Sequence, residues 1–393
     1  MSGALAITLA QQAPMRLHGG LRCAPGQLVA LVGPSGAGKS SLLRAVAGLM
    51  RPEHGRIALG DAVWSDSGTG VFVPPQHRRV GMVFQDYALM PHLNALHNVA
   101  LPLRNADRLQ QARQMLQRVG LSDEQMLRRP SALSGGQQQR VAVARALVRQ
   151  PSVLLLDEPF SAVDQMTRQS LYALLADLRE DIAVPMLLVT HDLQEARLLA
   201  DELVVMADGE VLQQGSAQAI HNAPRNAKVA DVVGIANRFT GVWRGPDGSS
   251  PVGRGWLEWT HQDMSLRLCV TDKGRIPPGQ AVSWVIPGAG LQLLNTDSAA
   301  PAGEPTASPA DCDSALALQA TVLGVRHLGE VWLVKLRCEP LGATVQLQLT
   351  GAGWEGLAPG QTTTLQMNRD AVHIMPSKPA PAVWARSTLG TAQ

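Results

Sequence analysis

The sequence predicts an α/β domain with a mostly parallel sheet, followed by an all-β domain. Short apolar runs alternate with helix-like stretches in the first part of the chain, which is typical of βαβ units. After residue 240, short alternating runs are separated by Gly and Pro, which indicates small barrel or sandwich units. Seven of the eight tryptophans also fall in this second part. The apolar runs of the first part cover residues 28–32, 80–84, 153–156, 186–189 and 203–206.

Composition excludes several classes of protein. The 393 residues are 45% hydrophobic and 17% charged, which is too apolar for a disordered chain. A net charge of +2 predicts no bulk attraction to nucleic acid or anionic lipid. Apolar runs fall far short of the roughly 18 residues that span a bilayer, and the N-terminus lacks the basic start of a secretory signal. Four cysteines without CxxC spacing predict neither a zinc site nor a disulfide framework, so we expect a cytoplasmic protein.

Changes in composition also predict the domain boundaries. We expect the α/β domain to end near residue 235 and the β domain to cover residues 236–377, with a frayed tail at 378–393. The tripeptide Pro-Gly-Gln at 278–280 recurs 81 positions later at 359–361, and matching apolar positions follow both copies. This spacing indicates two β repeats. Between them, the Ala-, Pro- and Ser-rich residues 296–314 are typical of a flexible linker.

A glycine-rich segment follows the first apolar run and fits the pattern G-x-x-x-x-G-K-[ST]. Glycines let backbone N–H groups surround phosphate oxygens, and the helix that begins near Ser40 directs its positive end toward the same anion. Lys39 supplies a charge for β- and γ-phosphates, and the Ser40 hydroxyl can ligate Mg²⁺. The alternative is a chance glycine turn before a helix. The candidate phosphate-binding residues are Gly33, Pro34, Ser35, Gly36, Ala37, Gly38, Lys39, Ser40 and Ser41.

Two adjacent acids end the unbroken apolar run at residues 153–156. A strand buried on both faces delivers Asp157 at its carboxyl end, where it can hold Mg²⁺ opposite Ser40. Glu158 is then placed to act as general base toward an attacking water. A solvated turn is the alternative for such a pair of acids.

A second candidate anion site begins a helix-like run at Ser134. Ser134 has the chemistry of an N-cap, and Gly135 and Gly136 expose backbone N–H groups at the positive end of the helix. An ordinary capped helix is the alternative. Together with Leu133 and Gln137, these residues spell L-S-G-G-Q. The combination of motifs resembles the ATP-binding cassette (ABC) ATPases, over residues 1–235 and in that family's motif order.

The resemblance implies a RecA-like core, a helical signature subdomain at about 86–150, and further site residues. Gln85 corresponds to the family's Q-loop and would approach Mg²⁺ and the water. Asp164 lies in the D-loop pattern, and His191 corresponds to the switch histidine that bonds the γ-phosphate. In the family, two cassettes enclose two ATP molecules, so Ser134, Gly135, Gly136 and Gln137 would complete the site of a second copy. The resemblance therefore implies a homodimer or a pair with another cassette subunit, with ATP and Mg²⁺ as ligands.

One departure from the family concerns adenine. The family stacks the base on an aromatic residue before the phosphate loop, whereas Trp64 is the first aromatic residue here. Either an apolar residue such as Met15 covers the ring, or recognition of the base is loose.

The C-terminal part resembles the TOBE-type, OB-like extension of importer ATPases, and residues 63–81 are similar to the molybdate, sulfate and ferric-iron group. This implies an ATPase at the cytoplasmic face of the membrane that powers import of an inorganic oxyanion such as molybdate or sulfate. Ferric-iron, polyamine and sugar importers share the architecture. The resemblance also implies two permease subunits, contacted at about residues 86–92, and an extracytoplasmic solute-binding protein. A nucleic-acid-linked ATPase is disfavoured, because residues 241–393 carry 11 Lys and Arg against 12 Asp and Glu.

Overall fold

The computed structural model describes residues 3–161, 163–262, 264–294, 315–351, 354 and 356–377. The expected linker at 296–314 and tail at 378–393 lie outside the described residues, as does Ala162 within the D-loop pattern at 161–164. The chain divides into two compact units between Ala217 and Gln218. No helix among the described residues is long and apolar enough to cross a membrane.

The first unit contains one large sheet and helices that connect its strands. The strands are β1 (Leu5–Gln11), β2 (Leu17–Cys23), β3 (Leu28–Val32), β4 (Gly55–Leu59), β5 (Ala62–Asp66), β6 (Val71–Phe72), β7 (Val80–Val83), β8 (Val153–Asp157), β9 (Met186–Val189), β10 (Glu202–Ala207) and β11 (Glu210–Gly215). The helices are α1 (Lys39–Ala47), α2 (Ala95–Ala100), α3 (Arg108–Arg118), α4 (Asp123–Met126), α5 (Gly135–Leu147), α6 (Gln165–Asp181) and α7 (Leu193–Leu199).

The strand order is β6-β5-β4-β1-β2-β11-β10-β3-β9-β8-β7. The strands from β10 to β7 pair in parallel, whereas those from β6 to β2 pair antiparallel. The sheet is therefore mixed rather than mostly parallel. This difference arises because most of the strands outside the predicted apolar runs, such as β1 and β2 or β4 and β5, are joined by short turns, which bring neighbours together antiparallel.

The parallel strands explain where the site forms. Every residue of β3, β8 and β9 is buried, as expected for strands covered on both faces. Because parallel strands end at the same edge of a sheet, the residues that follow β3, β8 and β9 are brought together there. Helices α2 to α5 lie between β7 and β8 in the chain and form the helical part of the unit.

The second unit begins with α8 (Ala217–Asn222) and α9 (Ala227–Val232) and continues as an all-β structure. Its strands are β12 (Arg238–Gly245), β13 (Arg254–His261), β14 (Met264–Thr271), β15 (Gln280–Val285), β16 (Leu291–Leu294), β17 (Leu316–His327), β18 (Val331–Cys338), β19 (Ala343–Thr350), β20 (Thr362–Met367) and β21 (His373–Pro376). The sequence predicts the boundary at residue 235, after α8 and α9. The two units of the structure divide earlier, after Ala217, the first residue of α8. His373 Nε2 lies 2.9 Å from the Pro224 carbonyl, which ties the helical segment to the β strands.

Two five-stranded antiparallel sheets make up the β structure, in the orders β14-β13-β12-β15-β21 and β16-β20-β17-β18-β19. Their inner faces share one apolar core that includes Trp243, Trp259 and Trp284. Cys269 in β14 takes part in a disulfide bond, contrary to the expectation of reduced cysteines. Spacing along the chain does not determine which cysteines the fold brings together.

The two Pro-Gly-Gln segments have the same structural surroundings. Each precedes a strand, β15 or β20, that is followed by a short 3₁₀ helix and a last strand, β16 or β21. Gly279 and Gly360 both adopt left-handed backbone conformations, with φ of 84° and 89°. The last strands are exchanged: β16 pairs with β20, and β21 pairs with β15. Each repeat thus contributes one strand to the sheet of the other.

Candidate functional site

The glycine-rich segment forms a tight loop between β3 and α1, and three of its glycines are required by geometry. A Cβ on Gly33 would lie 2.1 Å from the Met206 carbonyl oxygen, and one on Gly38 would lie 2.6 Å from Leu17 Cδ2. Gly36 and Gly38 adopt φ of 79° and 91°, which disfavour any residue with a Cβ. This loop is called the phosphate loop below.

Lys39 is the first residue of α1, and its side chain returns to the phosphate loop. Its Nζ donates to the carbonyl oxygens of Gly33 at 2.8 Å and Pro34 at 2.9 Å. The residue is only 6% exposed. Burial lowers the pKa of the ammonium, while Glu158 and Asp157 act in the opposite direction. A positive charge is therefore fixed against the phosphate loop at the N-terminus of α1, which is an arrangement suited to phosphate.

Ser40 and Asp157 meet where β8 ends beside α1. The Ser40 hydroxyl donates to Asp157 Oδ1 at 2.8 Å. Burial raises the pKa of the Asp157 carboxyl and Glu158 adds to this effect, whereas the hydrogen bond from Ser40 lowers it. A hydroxyl and a buried carboxylate fit the oxygen ligands that Mg²⁺ prefers. The described residues include no group of three or more His, Cys, Asp or Glu that could hold a metal ion by themselves.

Glu158 and His191 come together from β8 and β9. Glu158 has a left-handed backbone with φ of 44°, and its N–H donates to the Val189 carbonyl at 3.0 Å. Its Oε2 lies 3.2 Å from His191 Nδ1. The side chains are 22% and 65% exposed, so both remain accessible to water. A carboxylate and an imidazole thus lie at the sheet edge that also carries the phosphate loop.

A buried network behind His191 was not anticipated from the sequence. Glu195, 6% exposed, accepts from the Thr190 hydroxyl at 2.6 Å and from the Tyr172 hydroxyl at 2.9 Å. Asp192 caps α7 by accepting from the N–H groups of Gln194 and Glu195. Thr190 and Asp192 flank His191 in the sequence, but only the fold shows that Glu195 and Tyr172 hold this segment.

The Ser134 motif caps α5, as predicted. Ser134 Oγ accepts from the Gln137 N–H at 3.3 Å, and Gln137 Oε1 accepts from the Ser134 N–H at 3.0 Å. A Cβ on Gly136 would lie 2.2 Å from Thr167 Cγ2, so α5 approaches α6 closely there. In the described part of the chain, no hydrogen bond joins this motif to the phosphate loop of the same copy. The structure therefore does not assemble these two groups into one site within a single chain.

Asp164 and Gln85 lie on exposed segments next to the site. Asp164 caps α6, where its carboxylate accepts from the Thr167 N–H at 3.0 Å and the Thr167 hydroxyl at 2.6 Å. Hydrogen bonding to Thr167 lowers the pKa of this carboxyl. Gln85 follows β7 in an exposed turn, and within the described residues no hydrogen bond joins it to Ser40 or Asp157. Its predicted approach to Mg²⁺ stays a prediction.

Met15 lies beside the phosphate loop. Its Sδ accepts from the Ser41 hydroxyl at 3.3 Å and is 3.6 Å from the position of a Cβ on Gly38. The side chain is partly buried. A thioether therefore occupies the surface next to the first turn of α1.

The sequence is similar to ATP-binding proteins of ABC transporters. The family model of ABC transporters matches residues 19–161. A molybdate/tungstate import ATP-binding protein of Archaeoglobus fulgidus is 43% identical over 210 residues, which cover 53% of this chain and 84% of that protein.

Two other relatives are similar over a smaller share of their length. A ferric-ion import ATP-binding protein of Agrobacterium fabrum is 45% identical over 54% of this chain and 60% of its own. A spermidine/putrescine import ATP-binding protein of Fusobacterium nucleatum is 42% identical over 56% of this chain and 58% of its own. The chain thus matches less than two thirds of the length of these two relatives. Because it covers most of the archaeal protein at well above 30% identity, the chain belongs to the ABC transporter family of ATP-binding proteins.

Proposed function

We propose that this chain binds ATP and hydrolyses it to power import of a small solute through a membrane transporter. The observation that carries the proposal is the common sheet edge, where the phosphate loop, the Ser40–Asp157 contact and the Glu158–His191 pair all lie. Binding residues, metal-ligand oxygens and a carboxylate base are the groups that hydrolysis of a nucleoside triphosphate requires.

Each group has one role in the proposed reaction. Lys39 and the N–H groups of the phosphate loop bind the β- and γ-phosphates. Ser40 and Asp157, with Gln85, would hold Mg²⁺, which when bound neutralises charge on the phosphate oxygens. Glu158 accepts a proton from water as the water oxygen bonds to the γ-phosphorus, and the bond to the β–γ bridging oxygen breaks. The products are ADP and inorganic phosphate. Before the bond breaks, His191 would donate a hydrogen bond to the γ-phosphate.

Phosphate release from ATP by the purified chain tests this activity. We expect release with Mg²⁺ and its loss when EDTA removes the metal. Phosphate release at the buffer rate in the presence of Mg²⁺ and a permease complex would contradict the proposal.

The proposed assembly contains two copies of the chain. Ser134 is exposed at the N-terminus of a 13-residue helix, which presents N–H groups and a positive dipole to an anion outside its own copy. Ser134, Gly135 and Gly136 would contact the γ-phosphate on the phosphate loop of the second copy, with Asp164 close to this interface. Two permease subunits, contacted through residues 86–92, and a solute-binding protein would complete an importer, with this chain at the cytoplasmic face of the membrane.

For the solute, we propose an inorganic oxyanion such as molybdate or sulfate. The sequence similarity of residues 63–81 to that importer group and the match to the archaeal molybdate/tungstate protein support this choice. The matches to ferric-ion and spermidine/putrescine proteins favour ferric iron or a polyamine as the second candidate.

Uptake by cells that lack this chain distinguishes these solutes. We expect loss of labelled molybdate or sulfate uptake, restored by the wild-type chain but not by a Glu158→Gln variant. Selective loss of iron or polyamine uptake would support the second candidate instead.

A further inference from the structure

The chain turns sharply after Gln85 and then adopts an unfavourable backbone. The Tyr87 N–H donates to the Phe84 carbonyl at 2.9 Å, so Gln85 and Asp86 occupy the tip of a turn directly after β7. Tyr87 and Ala88 follow in left-handed conformations, with φ of 61° and 45°. Residues with a Cβ rarely adopt this conformation, and two in succession require support from their surroundings.

Arg145 of α5 provides that support. Its Nη1 donates to the Ala88 carbonyl at 2.6 Å and its Nη2 to the Tyr87 carbonyl at 2.7 Å. Burial lowers the pKa of this guanidinium, and nearby Asp86 opposes the effect. The planar fork of a guanidinium can bind two neighbouring oxygens at once, which an ammonium cannot do with the same geometry.

Asn98 of α2 holds the other end of the same segment. This side chain is fully buried, and its Oδ1 accepts from the Met90 N–H at 2.7 Å. Its Nδ2 donates to the carbonyl oxygens of Met90 and Leu93, both at 3.1 Å. Residues 85–93 are therefore fixed between α5 and α2, although they lie outside the regular elements.

Helix α5 carries two functions at opposite ends. Ser134 and Gly136 are at its start, and Arg145 lies in its last turn. A continuous helix of 13 residues transmits a displacement of one end to the other, because its backbone hydrogen bonds keep it rigid. A movement of Ser134 toward a nucleotide would thus pull on the Tyr87 and Ala88 carbonyls.

We propose that Arg145 is a positioning residue that couples the Ser134 end of α5 to Gln85 and to residues 86–92. The inference rests on the proposed function, in which Ser134 contacts ATP and residues 86–92 contact a permease. Arg145 acts on the reaction through the position of Gln85 and touches no substrate itself.

Arg140 offers a matched control on the same helix. Its Nη1 also donates to a backbone carbonyl, that of Val119, at 2.5 Å, and its Nη2 donates to Ser170 Oγ at 3.3 Å. These contacts lie at the end of α3 and on α6, away from the turn after Gln85. Arg140→Lys and Arg145→Lys therefore remove the same chemistry from one helix, but only the second change loosens the turn.

Hydrogen exchange of the full-length chain tests the coupling, on a Glu158→Gln background that retains bound ATP. In the parent, we expect ATP to slow amide exchange in residues 85–93 by at least about fivefold, as residues fixed by closure open less often. Arg145→Lys should abolish this response while ATP affinity changes less than about twofold, since the phosphate loop is intact. Arg140→Lys should retain the response.

A second substitution separates positioning from simple support. Ala88→Gly lowers the cost of the left-handed backbone without replacing the contacts to α5, so in the Arg145→Lys chain it should not restore the ATP response. A loss caused only by missing support of the strained backbone would be restored by the glycine, and that result would contradict the coupling. Retention of the response in Arg145→Lys, or equal loss in Arg140→Lys, would overturn the proposal. Failure of the parent to bind ATP would instead contradict the proposed function on which it rests.

Discussion

Glu158 combines an accessible carboxylate with an unusual backbone, and the two are connected. A left-handed φ of 44° directly after the buried Asp157 lets the chain turn out of β8. The carboxylate then lies 3.2 Å from His191 Nδ1 instead of continuing along the strand. Strain of this kind persists where the surrounding structure holds it and is concentrated at functional sites.

We expect Glu158→Gln to bind ATP normally but to lose turnover. The amide keeps the shape of the side chain and removes the base, which contributes about 10²–10⁴-fold in comparable reactions. Phosphate release and nucleotide affinity, measured on the same preparation, check this outcome. Hydrolysis above about a tenth of the wild-type rate would remove Glu158 from the role of general base.

The position of Met15 beside the phosphate loop leads to a prediction about the selectivity for the nucleotide base. A thioether beside the first turn of α1 offers less stacking than an aromatic ring. We expect the wild-type chain to bind ATP and GTP with affinities within about tenfold of each other, since contact with a thioether does not distinguish the two purines, whereas an aromatic ring would add about 1–3 kcal/mol of stacking per base. Met15→Trp should tighten ATP binding by at least about fivefold. Titration calorimetry measures both, with Met15→Leu as the control that should change little.

At the scale of single elements, Arg78 fixes the end of α1 that lies opposite the phosphate loop. The residue is 2% exposed and donates to the carbonyl oxygens of Ala45 at 2.8 Å and Val46 at 2.7 Å. It also donates to Val73 at 2.7 Å and Trp64 at 3.1 Å. Burial lowers the pKa of Arg78 to about 10, so it remains charged at neutral pH.

We expect Arg78→Met to lower the free energy of unfolding by at least about 3 kcal/mol, because four buried carbonyls lose a charged donor. Urea denaturation measures the change. Arg56→Met is the control, since Arg56 is 61% exposed and lies 3.8 Å from Asp66, and it should change stability by less than about 0.5 kcal/mol. Equal stability of the two variants would show that the Arg78 contacts contribute little.

His373 in β21 makes the stability of the second unit depend on pH. Burial lowers its pKa from 6.5 to about 4, Lys273 adds to this, and the hydrogen bond to the Pro224 carbonyl opposes it. The unfolded chain therefore binds a proton between pH 6.5 and 4 that the folded chain does not. We expect the contribution of neutral His373 to stability to be complete above pH 6.5 and to fall as the pH approaches 4, by up to about 3 kcal/mol.

Thermal unfolding at several pH values checks this prediction. The decrease in melting temperature between pH 7 and pH 4.5 should be smaller in His373→Gln, which has no proton to gain. An unchanged pH profile in that variant would assign the effect to other groups.

At the scale of the whole molecule, the proposed pairing of two copies can be tested by substitutions in the phosphate loop and at Ser134. Ser134→Arg should leave ATP binding to one chain intact and should block closure, because a bulky cation would occupy the γ-phosphate contact. Lys39→Ala should weaken ATP binding itself, since it removes a charge from the phosphate loop.

A mixture of these two variants, both on the Glu158→Gln background, separates a shared site from an internal one. In a mixed pair with shared sites, one site carries both changes and the other carries neither. We therefore expect partial recovery of ATP-dependent pairing, measured by light scattering. Each site would contain one change if it lay within a single chain, and no recovery would follow.

Much of this architecture was predictable from apolar runs and motif spacing. The runs at residues 28–32 and 186–189 coincide with β3 and β9, so the positions of Ser40 and His191 after strands followed from the sequence. The contacts of Arg78, Arg145 and Glu195 could not be predicted from the sequence, because their partners are backbone carbonyls or distant hydroxyls that only the fold brings near. The repeat in the second unit was visible as spacing, whereas its strand pairing was not.

The exchange of β16 and β21 makes the two repeats inseparable. A chain cut between them would leave each half with four strands of its own sheet and one strand whose hydrogen-bonding partner had been removed. Such a half would expose the edge of β15 or β20 that β21 or β16 now covers, so neither could serve as an independent module. Because each repeat completes the sheet of the other, gain, loss or replacement of one repeat is possible only together with the other.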